Sequence, residues 1–388
     1  MSVQYRSIFP LAQKENYTQN DAIDFTLTYE DEALVPGTVA FTGKCTVYST
    51  GTTQVLGTDR LYIDPLVGYH AVFKSLTTEF RNTGIVENFD NYPRFVKMQT
   101  DCGLYNDSLG TETDNGMEGR TPNAHVANGY LQGLEAGVGT EAYFPFCVKP
   151  LNVLNKMDGN LGSNKVGSVR LRIRLAPNGE VLWGQSCTTN SNYVITDLKL
   201  HYQTVPLKQA AEKVNLELYH SARQKISSNN SNISSFVPGL SNAVHISFIN
   251  QSDEATVTKN YLETQPLPGK PSGGVGPPDS DTTSQAYGIE KLYYSVNDTD
   301  SALCSFTLSS RAEILWNYLR SFNLEPRAYA ARLWRLNAPG HNDGYGAGIA
   351  FGGLLDFTST KFATEVQSQV TSADPFSAYL FFRMTAQV

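Results

Sequence analysis

Residues Val169–Leu175 have the sequence Val-Arg-Leu-Arg-Ile-Arg-Leu, in which apolar and charged side chains alternate without a fault. This period of two is typical of a β-strand with one buried face, because successive side chains on a strand point to opposite faces of its sheet. We therefore predict that Leu171 and Ile173 lie in a core and that the three arginines face outward.

The same period of two recurs along the chain. The further segments are Ile23-Phe25-Leu27, Val39-Phe41-Cys45-Val47, Val194-Thr196-Leu198-Leu200-Tyr202, Val244-Ile246-Phe248 and Ala378-Leu380-Phe382. Gly43 interrupts the second of these and is expected to mark a β-bulge. Strands at both ends and in the middle of a 388-residue chain predict an all-β fold built from antiparallel sandwiches.

Two segments have helical periodicity instead. After Pro206, a stripe formed by Leu207, Ala210, Ala211, Val214 and Leu218 predicts a helix near the midpoint of the chain. We therefore expect a first sandwich over residues 1–205, a helical connector over 206–225 and a second sandwich over 226–388.

The second helical segment begins at Ser310-Arg311-Ala312-Glu313, which resembles a capping box. Five apolar residues after it share one face: Ile314, Leu315, Tyr318, Leu319 and Phe322. Pro326 limits extension of the helix beyond Asn323.

Two long irregular stretches, Asp101–Gly139 and Glu263–Gly288, occupy one position in each half. Loops of this length are uncommon in compact domains and usually carry function or disorder. Within the second stretch, Pro266–Ser284 contains five prolines and four glycines and is expected to be an exposed surface loop.

Composition restricts the function classes. Charged residues make up 17% of the chain, against ~25% in soluble globular proteins. Such weak charge suggests that much surface is buried against neighbouring subunits. The net charge of −7 argues against direct nucleic-acid binding, which usually needs clustered Lys and Arg.

Five dispersed cysteines indicate reduced thiols and assembly inside a cell. We expect no signal peptide and no membrane span.

No motif supports catalysis, a cofactor or a metal. Gly137–Ala142 matches a loose dinucleotide fingerprint but lacks its strand–turn–helix setting, and Gly37–Lys44 has the wrong glycine spacing for a phosphate loop. His341-Asn342-Asp343 lies in a turn bounded by Pro and Gly, and Glu30-Asp31-Glu32 is expected to be solvated. His201 and His245 occupy the polar phase of predicted strands and should face outward. We therefore predict no catalytic, cofactor-binding or metal-binding residues and no enzyme.

Several segments, in order, resemble major capsid proteins of polinton-like viruses and virophages, within the adenovirus-type double jelly-roll lineage. The similar segments are Ile85–Arg94, Pro145–Asn155, Val169–Leu175, Val181–Gly184, Tyr193–Tyr202, Tyr345–Ile349, Val366–Ser368 and Pro375–Leu380. The resemblance covers roughly residues 20–205 and 300–388.

The resemblance implies two consecutive eight-stranded jelly rolls with tower loops. Three copies would form a pseudo-hexagonal capsomer in the icosahedral capsid of a double-stranded DNA virus. Its partners would be neighbouring capsomers, penton and minor capsid proteins, with an inner membrane as a further contact. The alternative is a carbohydrate-binding β-sandwich such as a viral spike or lectin, which would need an aromatic platform or paired carboxylates in a groove.

Overall fold

The computed structural model describes most of the chain outside its long irregular stretches. The described residues are 3–51, 53–54, 61–64, 67–101, 118, 131–132, 144–226, 230–254, 256–262, 289–296, 299–300, 306–307, 311–322, 346–358, 361–368 and 376–388. Most of their secondary structure is β-strand, as the alternating segments predict.

The strands fall into two consecutive groups. The first group is β1 (Gln4–Ile8), β2 (Ala22–Leu27), β3 (Glu32–Leu34), β4 (Ala40–Thr50), β5 (Thr53–Gln54), β6 (Tyr62–Ile63), β7 (Phe73–Phe80), β8 (Val86–Asp90), β9 (Leu131–Gln132), β10 (Phe144–Val148), β11 (Leu161–Gly162), β12 (Val169–Leu175) and β13 (Asn192–Pro206). The second group is β14 (Asn215–Ile226), β15 (Asn230–Phe236), β16 (Leu240–Asn250), β17 (Ile289–Val296), β18 (Thr299–Asp300), β19 (Phe306–Thr307), β20 (Ala347–Asp356), β21 (Lys361–Ser368) and β22 (Phe376–Gln387).

Two longer helices, Tyr92–Asp101 and Arg311–Ser321, accompany these strands. The other described helical segments are short turns: Gly68–Val72, Val153–Asn155, Ser163–Val166, Asn178–Val181, Leu207–Gln209 and Gln251–Glu254.

The first group of strands forms a sandwich. One sheet has the order β10-β4-β13-β3-β11, with β1 paired to β13 and β5 to β4. It packs on the run β2-β12-β7-β8, and aromatic rings connect the layers. The ring of Phe41 on β4 lies 5.7 Å from Phe25 on β2 and 5.1 Å from Phe73 on β7.

The second group repeats this architecture. The run β14-β22-β16-β20 packs on a sheet ordered β15-β21-β17-β18, where Phe362 of β21 lies 5.2 Å from Phe382 of β22. The two sandwiches are joined where β8 meets β14 in parallel at the single pair Asn88 and His220. That pair makes β2-β12-β7-β8-β14-β22-β16-β20 one continuous sheet.

The alternation of β12 is confirmed. Its side chains are buried and exposed in strict turn from Val169 to Leu175, and Leu171 and Ile173 have no exposed surface. β12 is central, with antiparallel partners β2 and β7 on its two sides, so its apolar face completes the core of the first sandwich.

The predicted bulge at Gly43 lies instead on the neighbouring strand. Lys44 pairs with Thr196 and Thr42 with Lys199, so the extra residues belong to β13. Gly43 is needed for a different reason. A Cβ at this position would stand 3.0 Å from the Phe146 ring, so the missing side chain lets that ring pack on the strand.

The bulge also changes the phase of β13. Asp197 adopts a φ of 53°. Odd-numbered residues of β13 are buried before Asp197, and even-numbered residues are buried directly after it. Tyr193 and Ile195 are buried before the bulge, so the predicted core position at Val194 is wrong, whereas Leu200 after the bulge is buried as predicted.

The helical connector predicted over 206–225 is wrong. Only Leu207–Gln209 form a turn of helix, and β14 begins at Asn215. β14 pairs with β22 along its whole length, from Asn215 opposite Gln387 to Ile226 opposite Phe376. The hydrogen bonds to this distant strand outweigh the local preference for helix that the apolar stripe indicates, because such a preference is weak.

The second predicted helix is confirmed over Arg311–Ser321. Ser310 of the capping box lies outside the described residues, as does all of Pro266–Ser284. Of the Asp101–Gly139 stretch, only Asp101, Glu118, Leu131 and Gln132 are described.

Candidate assembly surfaces

The outward face of β2, β12, β7 and β8 carries twelve side chains in a regular array, here called the charged grid. Strand register aligns them in three rows: Thr26-Arg170-Glu79-Val86, Asp24-Arg172-Thr77-Asn88 and Ala22-Arg174-Ser75-Asp90. None of the twelve is buried. Six are charged, whereas charged residues make up 17% of the chain, so this face concentrates charge.

Only part of the charged grid is internally paired. Asp24 accepts hydrogen bonds from Arg172 Nε at 2.9 Å and from Arg170 Nε at 3.2 Å. Partial burial raises the pKa of Asp24, but the bonds and charges of Arg172 and Arg170 outweigh it and hold the pKa below its usual value. Among the described residues, no ion-pair partner contacts Arg174, Glu79 or Asp90.

A second exposed surface lies along the N-terminal segment. β1 pairs with β13 and with no other described strand, so its outer edge is open. Four large apolar side chains are more than half exposed here: Val3 at 55%, Tyr5 at 66%, Phe9 at 51% and Leu11 at 66%. An open strand edge beside exposed apolar side chains is a common contact surface for another chain.

Glu87 of β8 ties the two sandwiches together. Its carboxyl group accepts hydrogen bonds from the backbone N–H of Val153 at 3.0 Å and of Tyr219 at 3.1 Å, and from the Thr78 hydroxyl at 3.3 Å. Tyr219 belongs to β14 of the second sandwich. Burial raises the pKa of Glu87 to about 8, although the hydrogen bonds from all three donors act in the opposite direction.

Arg94 forms a second link between the sandwiches. It lies in the Tyr92–Asp101 helix, is fully buried, and is held between two tyrosine rings whose centroids are 4.8 Å (Tyr261) and 4.6 Å (Tyr379) from its guanidinium carbon. Its guanidinium donates to the Tyr261 carbonyl and, at 3.3 Å, to the Ser247 hydroxyl. Stacking of a desolvated guanidinium on aromatic faces is favourable.

The histidines are less exposed than predicted. His245 is fully buried, so its predicted outward orientation is wrong. Its ring stacks 3.9 Å from Phe322, and its Nδ1 lies 3.0 Å from the Ser321 hydroxyl. The Arg311–Ser321 helix covers this face of β16, and a sequence pattern of period two cannot reveal such a cover. Burial lowers the pKa of His245 well below its usual value.

His201 is half-buried, between the Tyr5 hydroxyl at 2.8 Å and the Thr42 hydroxyl at 2.7 Å. In the acidic segment Glu30-Asp31-Glu32, the first two residues are exposed, whereas the Glu32 carboxylate forms an ion pair with Arg6 at 2.8 Å.

The described residues contain no group of three or more His, Cys, Asp or Glu side chains that could hold a metal ion. His341-Asn342-Asp343 and Gly137–Ala142 lie outside them. No described helix is both long enough and apolar enough to span a membrane.

A groove of about 670 Å³ runs under the N-terminal segment. Its two lysines already have acidic partners: Lys14 contacts Asp21 at 2.7 Å and Lys44 contacts Asp197 at 2.8 Å. Tyr17, one of the aromatic residues that line the groove, is buried, and its hydroxyl donates a hydrogen bond to the Ala12 carbonyl at 3.4 Å. Phe9 and Tyr48 and the carboxylates of Glu15 and Asp197 also line the groove, and the Asp197 carboxylate is the one that pairs with Lys44.

Comparison with known proteins supports the fold. No protein-family model matches the sequence, and no curated protein matches it. Solved structures are similar over the whole chain. The Faustovirus major capsid protein has a TM-score of 0.63 at 9% identity, covering 100% of this chain and 90% of its own. PBCV-1 VP54, fitted into a reconstruction of the virophage Sputnik, has a TM-score of 0.60 at 10% identity, covering 100% and 95%. The Sputnik virophage structure has a TM-score of 0.59 at 10% identity, covering 100% and 86%. The chain has the double jelly-roll fold of these capsid proteins.

Proposed function

We propose that this chain is the major capsid protein of a double-stranded DNA virus, located in the virion capsid. The observation that carries the proposal is the fold similarity to capsid proteins over the whole length of the chain. In this proposal three copies form a pseudo-hexameric capsomer, and the capsomers tile an icosahedral shell.

The physical basis for a trimer is the repetition of one architecture within the chain. Three copies of two similar sandwiches present six similar walls, and a closed three-fold ring buries open sheet edges such as that of β1. We place the first domain at residues 1–205 and the second from the start of β14 at Asn215 to residue 388. The chain crosses between them after Pro206, through the turn Leu207–Gln209.

The proposed partners are other copies of the chain, neighbouring capsomers, and penton and minor capsid proteins, with an inner membrane as a further contact. Direct binding to nucleic acid is disfavoured by the net charge of −7. We propose a structural, non-enzymatic role, because capsid assembly requires complementary surfaces and no catalytic group.

Negative-stain electron microscopy of the purified protein tests this function. The proposal predicts uniform particles with a hexagonal outline and a three-fold average. The carbohydrate-binding alternative predicts small single particles together with saturable binding to a glycan array, and that pair of results would overturn the capsid proposal.

A further inference from the structure

The two sandwiches have the same strand order, so that strands of the first have counterparts in the second. In the first sandwich, β1, β13, β4 and β10 lie side by side in one sheet, and β2, β12, β7 and β8 lie side by side in the other. In the second sandwich, the two sheets are β14-β22-β16-β20 and β15-β21-β17-β18. Matched in chain order, β1 therefore corresponds to β14, and β8 corresponds to β18.

The junction between the two sandwiches is made by β8 and β14. These strands run parallel and pair at Asn88 and His220. The Glu87 carboxyl group accepts a hydrogen bond from the Tyr219 backbone N–H at 3.1 Å, and the rings of Phe89 and Tyr219 stack 5.0 Å apart. The outer edge of β8 and the outer edge of β14 therefore hold the two sandwiches together.

The counterparts of these two strands, β18 and β1, make no such contact among the described residues. β1 pairs only with β13, and β18 pairs only with β17, among the strands that the structure describes. Tyr219 on β14 is buried, whereas Tyr5 on β1 and Val3 beside it are more than half exposed. Each chain therefore carries the two halves of a second junction on two separate edges.

Contacts between the layers of the first sandwich give β1 the same direction as β8. Near the start of β13, the Tyr193 hydroxyl donates to the carbonyl of Ala176, which follows the end of β12. Near the end of β13, the Tyr202 hydroxyl donates to the carbonyl of Thr28, which follows the end of β2. β13 therefore runs opposite to β12, and β1, which is antiparallel to β13, runs with β12. β8 also runs with β12, because both are antiparallel to β7.

The turn between β15 and β16 gives β18 this direction as well. Phe236 at the end of β15 pairs with Lys361 at the start of β21, and Leu240 at the start of β16 pairs with Thr385 near the end of β22. β21 therefore runs opposite to β22 and with β14. β18 runs with β21, because both are antiparallel to β17. The strands β1, β8, β14 and β18 thus all point the same way.

We infer that the trimer is closed by β18 of each copy lying parallel beside β1 of the next copy, in a repeat of the β8–β14 junction. The inference rests on the proposed capsid function. A three-fold axis along the strands preserves strand direction, so that the two strands meet in parallel. The contact joins two different surfaces, and a heterologous contact of this kind can close into a ring. It covers the open edge of β1 and the exposed apolar side chains beside it.

Disulfide crosslinking of the full chain tests the contact. Neighbouring strands lie about 4.8 Å apart, within the Cα separation of about 4.4–6.8 Å that a disulfide spans. Tyr5→Cys or Ser7→Cys on β1 is combined with Thr299→Cys or Asp300→Cys on β18, so that different registers of the two strands are sampled. After oxidation with copper phenanthroline, at least one of these four double variants should run as a covalent trimer on a non-reducing denaturing gel.

The matched control combines Tyr5→Cys with Leu354→Cys. Leu354 is exposed on β20, an edge strand of the second sandwich that the inferred contact leaves uncovered. The control and each single-cysteine variant should run at the mass of one chain, which also shows that the native cysteines do not crosslink. A covalent trimer in the control and in none of the four double variants would mean that the copies meet at β20, which overturns the inference.

Hydrogen–deuterium exchange of the wild-type trimer gives a second test that needs no variant. β1 and β2 are both edge strands of the first sandwich, and β2 pairs only with β12 among the described strands. A covering strand accepts hydrogen bonds from the outward amides of β1, so Gln4–Ile8 should exchange as slowly as the central strand β13. Ala22–Leu27 should keep rapidly exchanging amides. Equally rapid exchange in β1 and β2 overturns the inference.

The mass of the particles separates failure of this contact from failure of the proposed function. Light scattering that shows only monomers contradicts the capsomer itself. Trimers in which β1 exchanges rapidly, or which crosslink only through Leu354→Cys, contradict the contact between β18 and β1 and leave the capsid function standing.

Discussion

Two strands of the same continuous sheet, β12 and β22, differ in how much of them is buried. β12 buries every second side chain and exposes the rest, whereas β22 buries every residue from Phe376 to Met384. One face of β22 meets the opposite sheet through Phe362. Its other face meets the Tyr92–Asp101 helix, where Phe95 lies 5.5 Å from Phe381.

The difference shows how two similar sandwiches come to present different surfaces. In the second sandwich, the chain covers the outer face of its own sheet with a helix that follows β8 of the first. In the first sandwich, the equivalent face is left open and carries the charged grid. The two sandwiches therefore leave different shares of the continuous sheet exposed to solvent.

The largest expected effect comes from breaking the alternation of β12. Ile173→Asp places an unpaired carboxylate in a fully buried position, which costs several kcal/mol, and we expect loss of soluble folded protein. Arg174→Asp is the matched control on the exposed face of the same strand, and should change the free energy of unfolding by less than about 0.5 kcal/mol. Urea unfolding followed by circular dichroism measures both. Soluble, folded Ile173→Asp protein would contradict the assigned phase.

An intermediate effect is expected at the covered face of the second sandwich. Arg94→Leu removes the hydrogen bonds to the Tyr261 carbonyl and the Ser247 hydroxyl, and also the stacking between two rings. We expect a loss of about 2–4 kcal/mol in the free energy of unfolding. Arg81→Leu, at an exposed position, is the control. If both variants unfold at the same urea concentration as the wild type, Arg94 does not hold the helix against β22.

The third effect depends on pH and concerns Glu87, where the two sandwiches meet. With the pKa raised to about 8, the folded chain keeps this proton between about pH 5 and pH 8 while the unfolded chain has lost it. The unfolded state then binds fewer protons, so the free energy of unfolding falls as pH rises, by up to about 1.4 kcal/mol per pH unit, and levels off above pH 8.

Glu87→Gln should flatten this dependence, because the amide does not titrate. Glu212→Gln, at an exposed position, should leave it unchanged. Urea unfolding at pH 5, 6, 7 and 8 compares the three proteins. Parallel pH profiles for the wild type and Glu87→Gln would mean that Glu87 is already ionised in the folded chain.

The contrast between the two sandwiches also marks what the sequence could predict. Where one face of a strand is open to solvent, as in β2 and β12, the period of two identifies the strand and its buried face. The Arg311–Ser321 helix was likewise predictable, because its apolar stripe is local.

The failures have non-local causes. β14 has a helical stripe but is held as a strand by twelve residues of β22 that lie far away in the sequence. His245 occupies a polar phase but is covered by a helix more than sixty residues further along the chain. The charged grid could not be predicted as a unit, since it depends on the register of four strands. Only its Arg column was visible in the sequence.

The mass of the purified protein in solution tests the central claim most directly. Size-exclusion chromatography with multi-angle light scattering should give one species of three 42.7 kDa chains, or about 128 kDa, in moderate salt that suppresses contacts between capsomers. A single monodisperse species of 42.7 kDa would contradict the assignment of this chain as a capsomer-forming capsid protein.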